Sequence, residues 1–142
     1  MLDPANVPDV DRSETLSRFV VSSRHIRNSN DTVKADAFVP HPYEELSVNR
    51  DKDATDNETW DAGFLVAQKL GKTLYGRADA LAATYQSQQL TTVAAPIPDN
   101  PNHVNVCSWP PGKPEQILKA KEIAEKAKLI RTPANGNEME VD

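Results

Sequence analysis

Short apolar segments recur along this chain, and several of them alternate apolar with polar residues. Alternation with period two predicts β-strands, because successive side chains of a strand point to opposite faces of its sheet. In the segment 103–108, His103 and Asn105 face one way, whereas the valines between them face the other. A histidine and an amide therefore lie side by side on one predicted sheet face. The predicted strands cover residues 16–22, 33–39, 46–50, 73–75, 80–85, 90–95 and 103–108.

Two further segments carry the apolar spacing of helices. The first opens with Thr55-x-x-Glu58, a capping box in which each side chain accepts a hydrogen bond from the other residue's backbone N–H. Trp60 and Phe64 follow at helical spacing, so we expect both aromatic rings to lie on the sheet. Gly71 ends the pattern as a left-handed cap, a conformation that glycine adopts without steric penalty.

The second helical segment follows the break at Pro110-Pro111-Gly112. Pro114 suits the first turn of a helix, where its missing N–H is not needed. Strands with helices inserted between them predict an α+β fold: two layers, with a mostly antiparallel sheet of about five to seven short strands and two main helices. The apolar stripe of the second helix comprises Ile117, Ala120, Ile123, Ala124, Ala127 and Ile130.

The body of the chain, residues 16–131, has the length of a single domain. Residues 1–15 are polar, with prolines and several acidic side chains, and we expect a flexible N-terminal tail. Residues 132–142 are acidic and lack apolar periodicity, which predicts a disordered C-terminal tail or one that orders only with a partner.

The composition disfavours several classes of protein. A net charge of −5 over 142 residues argues against an indiscriminate nucleic-acid binder, which usually carries a basic excess. The single Cys107 excludes an internal disulfide and a cysteine-rich zinc site, and the histidines lack metal-ligand spacing. No apolar run approaches a membrane span and no secretory signal is visible, so we expect a cytoplasmic protein without cofactor or metal.

Two histidines and two arginines are the strongest candidates for catalysis. His25 and His103 suit the acid and base of a metal-independent phosphodiester cleavage, with Arg50 or Arg77 binding the phosphate. The competing interpretation is that both histidines are ordinary surface residues and that Arg77 takes part only in a surface ion pair, because nothing in the sequence brings the histidines together. The remaining polar candidates for ligand binding are Asp79, the partner of Arg77 in that ion pair, and Asn105.

Trp109 is the candidate for partner binding, because tryptophan is enriched at the energetic centres of interfaces. The alternative is a core-edge aromatic residue that closes the sheet. Charge is also unevenly spread, with an acidic segment at 44–61 and a basic segment at 113–131. Such a distribution steers charged partners, or simply marks solvated faces.

Several short motifs follow one another between about residues 16 and 128. They are Ser23-x-His25, Val33-Lys34-x-x-Ala37-Phe38-x-Pro40, Ser47-Val48-x-Arg50, Trp60, Gly76-Arg77-Ala78-Asp79 and His103-x-Asn105-Val106-x-x-Trp109-Pro110. This order resembles a group of small uncharacterised bacterial proteins. The resemblance implies a bacterial or phage cytoplasmic protein and implies no reaction, but it directs attention to the polar members of the pattern.

Together these features favour a non-enzymatic protein-interaction module, an accessory or regulatory subunit of a larger bacterial assembly, such as one concerned with phage defence or toxin control. The alternative is a metal-independent His/Arg nuclease or nucleotide-handling enzyme. A third hypothesis is an anion- or nucleotide-sensing domain that uses the same arginines without turnover. We expect a protein partner or a homo-oligomer and no membrane, and the net charge disfavours nucleic acid.

Overall fold

An antiparallel sheet is the centre of the protein, seen in a computed structural model that describes residues 1–133. The strands are β1 (Thr15–Val20), β2 (Ile26–Arg27), β3 (Thr32–Val33), β4 (Leu46–Arg50), β5 (Gly76–Leu81), β6 (Thr91–Ala94), β7 (His103–Cys107) and β8 (Lys128–Arg131). Six of them form the large sheet in the order β6-β7-β4-β1-β5-β8, with every neighbouring pair antiparallel. The short strands β2 and β3 form a separate ribbon.

Helices accompany the sheet in the described residues. The α-helices are α1 (Asp56–Leu70), α2 (Ala82–Gln86) and α3 (Lys113–Lys126), and 3₁₀ helices span Ser23–His25 and Ala35–Phe38. This mixture of helices with one six-stranded antiparallel sheet confirms the predicted α+β fold class. Within residues 1–133, none of the helices is long and apolar enough to cross a membrane.

The two faces of the large sheet bury different apolar clusters. On one face, Leu16 of β1 belongs to a cluster with Phe38 of the 3₁₀ helix and Ile123 of α3. On the opposite face, Phe19 of the same strand belongs to a cluster with Trp60 of α1. This division follows from the alternation of side chains along β1.

Helix α1 begins and ends as its sequence predicts. The Thr55 hydroxyl accepts from the Glu58 N–H at 3.1 Å, and the Glu58 carboxylate accepts from the Thr55 N–H at 2.9 Å. Gly71 closes the helix with a φ of 65°. Gly63 allows the helix to approach the sheet closely, since a Cβ there would lie 2.8 Å from two ring carbons of Phe19.

The predicted strand at 33–39 is wrong. Strand pairing stops at Val33, and Ala35–Phe38 turn into a 3₁₀ helix that buries both Ala37 and Phe38. An extended strand would send these two neighbouring side chains to opposite faces, so the helical turn is what buries them together.

The predicted placement of Phe64 on the sheet is also wrong. Phe64 is 44% exposed, whereas Trp60 is buried. The contact stripe of α1 runs through Trp60, Gly63 and Ala67, which are all buried, and Phe64 lies beside this stripe rather than on it.

The C-terminal half departs from the predicted elements in two places. Strand β5 replaces the strands predicted at 73–75 and 80–85, and residues 82–86 form α2, with Ala82 and Tyr85 buried one helical turn apart. The second helix ends at Lys126 instead of continuing to Ile130, because residues 128–131 pair with β5 as β8. Pairing with a distant strand overrides the local helical spacing here.

The N-terminal segment, which the sequence predicts to be a flexible tail, contacts the body of the domain. Leu2 is buried, and its N–H donates to Asn102 Oδ1 at 3.0 Å. The carbonyls of residues 8 and 9 accept hydrogen bonds from the Arg50 guanidinium. Most of the predicted C-terminal tail, residues 134–142, lies outside the described residues.

Candidate functional site

A groove lies between α1 and the strands β1, β4 and β7. The cavity volume is about 70 Å³ in its inner region and about 540 Å³ in its outer region. The outer region extends under the loop that joins the second 3₁₀ helix to β4. We call the two regions together the α1 groove. Both regions are lined by Arg18, Ser47, Val66, Leu70 and His103.

The α1 groove lies where β1 and β4 separate. The two strands pair only near the start of β1, through Leu16 and Ser17. Beyond that point Arg18 bridges the gap, because its Nη1–H donates to Ser47 O at 2.9 Å and its Nε–H donates to Ala37 O at 2.8 Å. The guanidinium therefore takes the place of the missing backbone ladder.

Arg18 carries a positive charge that no carboxylate in residues 1–133 balances at salt-bridge distance. Its side chain is half-buried, and burial lowers the pKa of the guanidinium below its ordinary value. Arginine nevertheless stays protonated in proteins, so the cation persists. Two carbonyl dipoles compensate some of the charge, and an anion in the groove would compensate the rest.

His103 brings a second polar group to the α1 groove. Its Nδ1 lies 2.8 Å from Ala95 O. Because a carbonyl oxygen only accepts hydrogen bonds, Nδ1 carries the proton in this contact. In the neutral ring Nε2 is then an acceptor, and protonation would turn it into a donor.

The outer region of the groove is lined by charged side chains of both signs. Lys69 and His41 line it together with Arg18, and Glu45 lines it as well. Lys69 is paired with Asp99, and the hydrogen bond from the ammonium holds the pKa of that carboxyl below its ordinary value. Arg18 is therefore the cation of the groove whose charge remains available for a ligand.

Exposed apolar side chains form the rim of the α1 groove. Tyr43 is 72% exposed and Leu70 is 56% exposed, and Val66 and Ile97 are also exposed. Single exposed apolar residues are normal on a protein surface. Several of them around one groove resemble the contiguous patches that mark interaction sites.

The two predicted catalytic histidines line different cavities. His25 lies with Asp36, His41 and Lys113 in a cavity of about 400 Å³ beside α3, and His103 is not among the residues that line it. Burial is the main cause that lowers the pKa of His25 below its ordinary value, which favours its neutral form. The structure therefore does not join His25 and His103 in either cavity.

Arg50, predicted to bind phosphate, is enclosed by the protein and is 0% exposed. Its Nε–H donates to Glu14 Oε1 at 2.8 Å, and its Nη2–H donates to Glu14 Oε2 at 2.6 Å. The carbonyls of Pro8 and Asp9 accept from the same guanidinium at 2.7 and 3.1 Å. A phosphate would reach Arg50 only after this buried pair had separated.

Arg77 and Asp79 lie side by side on the face of β5 that packs against α1. Arg77 lies over the Trp60 ring, 4.7 Å from its centroid, and its Nε is 3.3 Å from Asp79 Oδ2. The Ser17 hydroxyl donates to Asp79 Oδ1 at 2.6 Å. Neither Arg77 nor Asp79 lines the α1 groove, and both are largely withdrawn from water rather than forming a surface pair.

The last two predicted residues, Trp109 and Asn105, differ in exposure. Trp109 is only 4% exposed, and its indole N–H donates to Val106 O at 3.0 Å, which is the geometry of a core-edge aromatic residue. Asn105 is half-buried and lies between Ser47 and Val93 of the neighbouring strands. It shares the face of β7 with His103, as the alternation predicts.

Arg18 is the groove residue that the sequence interpretation missed, although the sequence holds one signal for it. Arg18 shares strand parity with Leu16 and Val20, which places a guanidinium on the buried side of an apolar strand. The gap between β1 and β4 has no comparable signal, because it depends on which strands become neighbours.

Within residues 1–133, no three His, Cys, Asp or Glu side chains converge as ligands for a metal ion. Comparisons with protein-family models, with curated proteins and with solved structures found no match. The functional argument therefore rests on the geometry of the α1 groove.

Proposed function

We propose that this protein is a non-enzymatic protein-interaction module, an accessory or regulatory subunit of a larger bacterial assembly, whose partner docks in the α1 groove. The observation that carries this proposal is the apolar rim formed by Tyr43, Val66, Leu70 and Ile97. Full burial of one large apolar side chain contributes about 1.5–3 kcal/mol. A partner that covers several rim residues thus gains enough to offset some of the cost of association.

The size of the groove suits an inserted side chain or a short peptide segment. Its outer volume of about 540 Å³ falls within the roughly 300–1,000 Å³ of typical ligand clefts. Val66 and Leu70 are held on α1, a helix fixed at both ends by its caps. A preformed wall of this kind lowers the entropy cost of binding.

A neutral polar side chain on the rim tests this proposal without disturbing the core. Leu70→Gln should strongly reduce co-purification of the partner with the tagged full-length chain from cells that carry its native genes, because the substitution removes apolar surface that the partner would bury and adds an amide that would be buried without a hydrogen-bond partner. Leu118→Gln is the matched control, since Leu118 is 65% exposed on α3, outside the groove. Equal retention, or equal loss, of the partner by both variants would contradict the proposal. Circular dichroism checks that both variants fold.

A second candidate is a metal-independent His/Arg nuclease or nucleotide-handling enzyme. One observation favours it: His41, His103 and Arg18 line the same outer groove. The histidine pair of this candidate is then His41 with His103, instead of the predicted pair that includes His25. Turnover of RNA and nucleotides that is lost in His103→Gln and kept in His25→Gln would support it. Absence of turnover by the wild-type protein would exclude this second candidate function.

A further inference from the structure

We propose that Arg18 makes the α1 groove a carboxylate-binding site, and that the docking partner places one acidic side chain of a peptide segment there. This inference rests on the proposed function, since it names the chemistry of the partner that the groove accepts. It is carried by the hydrogen bonding of Arg18, by the charges that line the groove and by the apolar rim.

Three arginines in residues 1–133 are at least half-buried: Arg18, Arg50 and Arg77. Two of them are paired with an acidic side chain of the protein, and Arg18 is not. Arg50 forms a bidentate salt bridge with Glu14, and Arg77 forms an ion pair with Asp79. Arg18 receives only two carbonyl oxygens. Because a cation withdrawn from water needs a counter-charge, the uncompensated arginine is the one that awaits an external anion.

Arg18 also keeps hydrogen-bond donors free for such a ligand. Its two internal bonds use Nε and one hydrogen of Nη1. Nη2 makes no hydrogen bond to any residue in 1–133 and is not a buried atom. Both Nη2 hydrogens therefore remain available for charge-assisted hydrogen bonds to a carboxylate.

The charges around Arg18 favour a carboxylate over a phosphate. Glu45 also lines the outer groove, and Lys69 is already paired with Asp99. Either ligand would meet one free guanidinium and one repelling carboxylate, and the repulsion is weaker for a singly charged carboxylate than for a dianionic phosphate. The rim around this site is apolar and includes Leu70. We therefore expect the acidic residue of the partner to be flanked by apolar residues that cover the rim.

A displayed library of random peptides, selected on the full-length protein, tests this inference. We expect the enriched peptides to carry one Asp or Glu flanked by apolar residues. In fluorescence anisotropy, replacing that acid by its amide should weaken binding to the wild-type protein by about tenfold or more, because hydrogen bonds to charged groups contribute about 1.5–3 kcal/mol. This change leaves the protein untouched, so it does not depend on the folding of an Arg18 variant.

Variants of the protein separate the two proposals. Arg18→Gln removes the positive charge, so it should weaken binding of the acidic peptide and remove most of the difference in affinity between acid and amide. Leu70→Gln leaves the charge in place and should weaken binding of both peptides alike. Peptides that need Leu70 but bind equally as acid and amide would overturn the carboxylate site and leave the proposed function standing. A selection without any Leu70-dependent peptide would overturn both. Tighter binding of a phosphoserine peptide than of the acidic one would overturn the choice of carboxylate.

Discussion

The buried pair of Arg50 and Glu14 makes the sharpest prediction about stability. Glu14→Gln keeps the shape of the side chain but removes the charge that faces a fully buried guanidinium. Breaking such a pair by removing one partner costs about 3–5 kcal/mol, because the other charge stays buried. A domain of this kind is stable by about 5–15 kcal/mol in total, so we expect a loss of roughly a fifth or more of the free energy of unfolding.

Urea unfolding followed by circular dichroism measures this loss. The control is Asp99→Asn, which breaks the exposed pair with Lys69 and should leave the free energy of unfolding almost unchanged. The double variant Arg50→Met/Glu14→Leu should be more stable than either single variant, since it removes both charges together. If Glu14→Gln lowers the free energy of unfolding no more than Asp99→Asn does, the structural role assigned to Arg50 is refuted. The prediction that Arg50 binds phosphate would then deserve a direct test.

Three further predictions concern single side chains. Trp109→Ala should lower the free energy of unfolding by about 3–5 kcal/mol in urea titrations, as for a buried aromatic residue; a loss below about 1 kcal/mol would restore its interpretation as an exposed anchor. Gly63→Ala should destabilise by about 1–3 kcal/mol, because the new methyl group meets the Phe19 ring, and a neutral result would show that α1 shifts freely. Burial lowers the pKa of His25 from 6.5, so the unfolded state binds the proton more tightly, and stability should fall as the pH falls through 6.5 and level off below the folded pKa. His25→Gln should flatten this pH dependence of unfolding, and an unchanged slope would contradict the assignment.

Elements whose ends are fixed by their own residues could be predicted from the sequence. The capping box at Thr55 and Glu58 and the left-handed Gly71 define α1 through contacts within a few residues. Strand β7 likewise follows its own alternation. Strand β8 could not be predicted in this way, because its residues continue a helical apolar stripe and become a strand only by pairing with β5.

The candidate site could be predicted only incompletely for the same reason. Strand alternation placed His103 and Asn105 on one face, and the register with β4 confirms that placement. The burial of Trp109 and the enclosure of Arg50 depend on distant groups, such as Glu14, which lies 36 residues before its partner. No local pattern carries that information.

Arg18 and Arg50 show how such distant groups decide which arginine is paired with an acid. Both arginines share strand parity with buried apolar residues, so the sequence alone treats them alike. In the fold, the segment before β1 brings Glu14 and two carbonyls to Arg50, which makes that arginine a member of the core. The same segment does not reach Arg18, which bridges the gap between β1 and β4 with two carbonyls alone. The anion site that we propose thus lies at the arginine that the fold leaves without an acidic partner in residues 1–133.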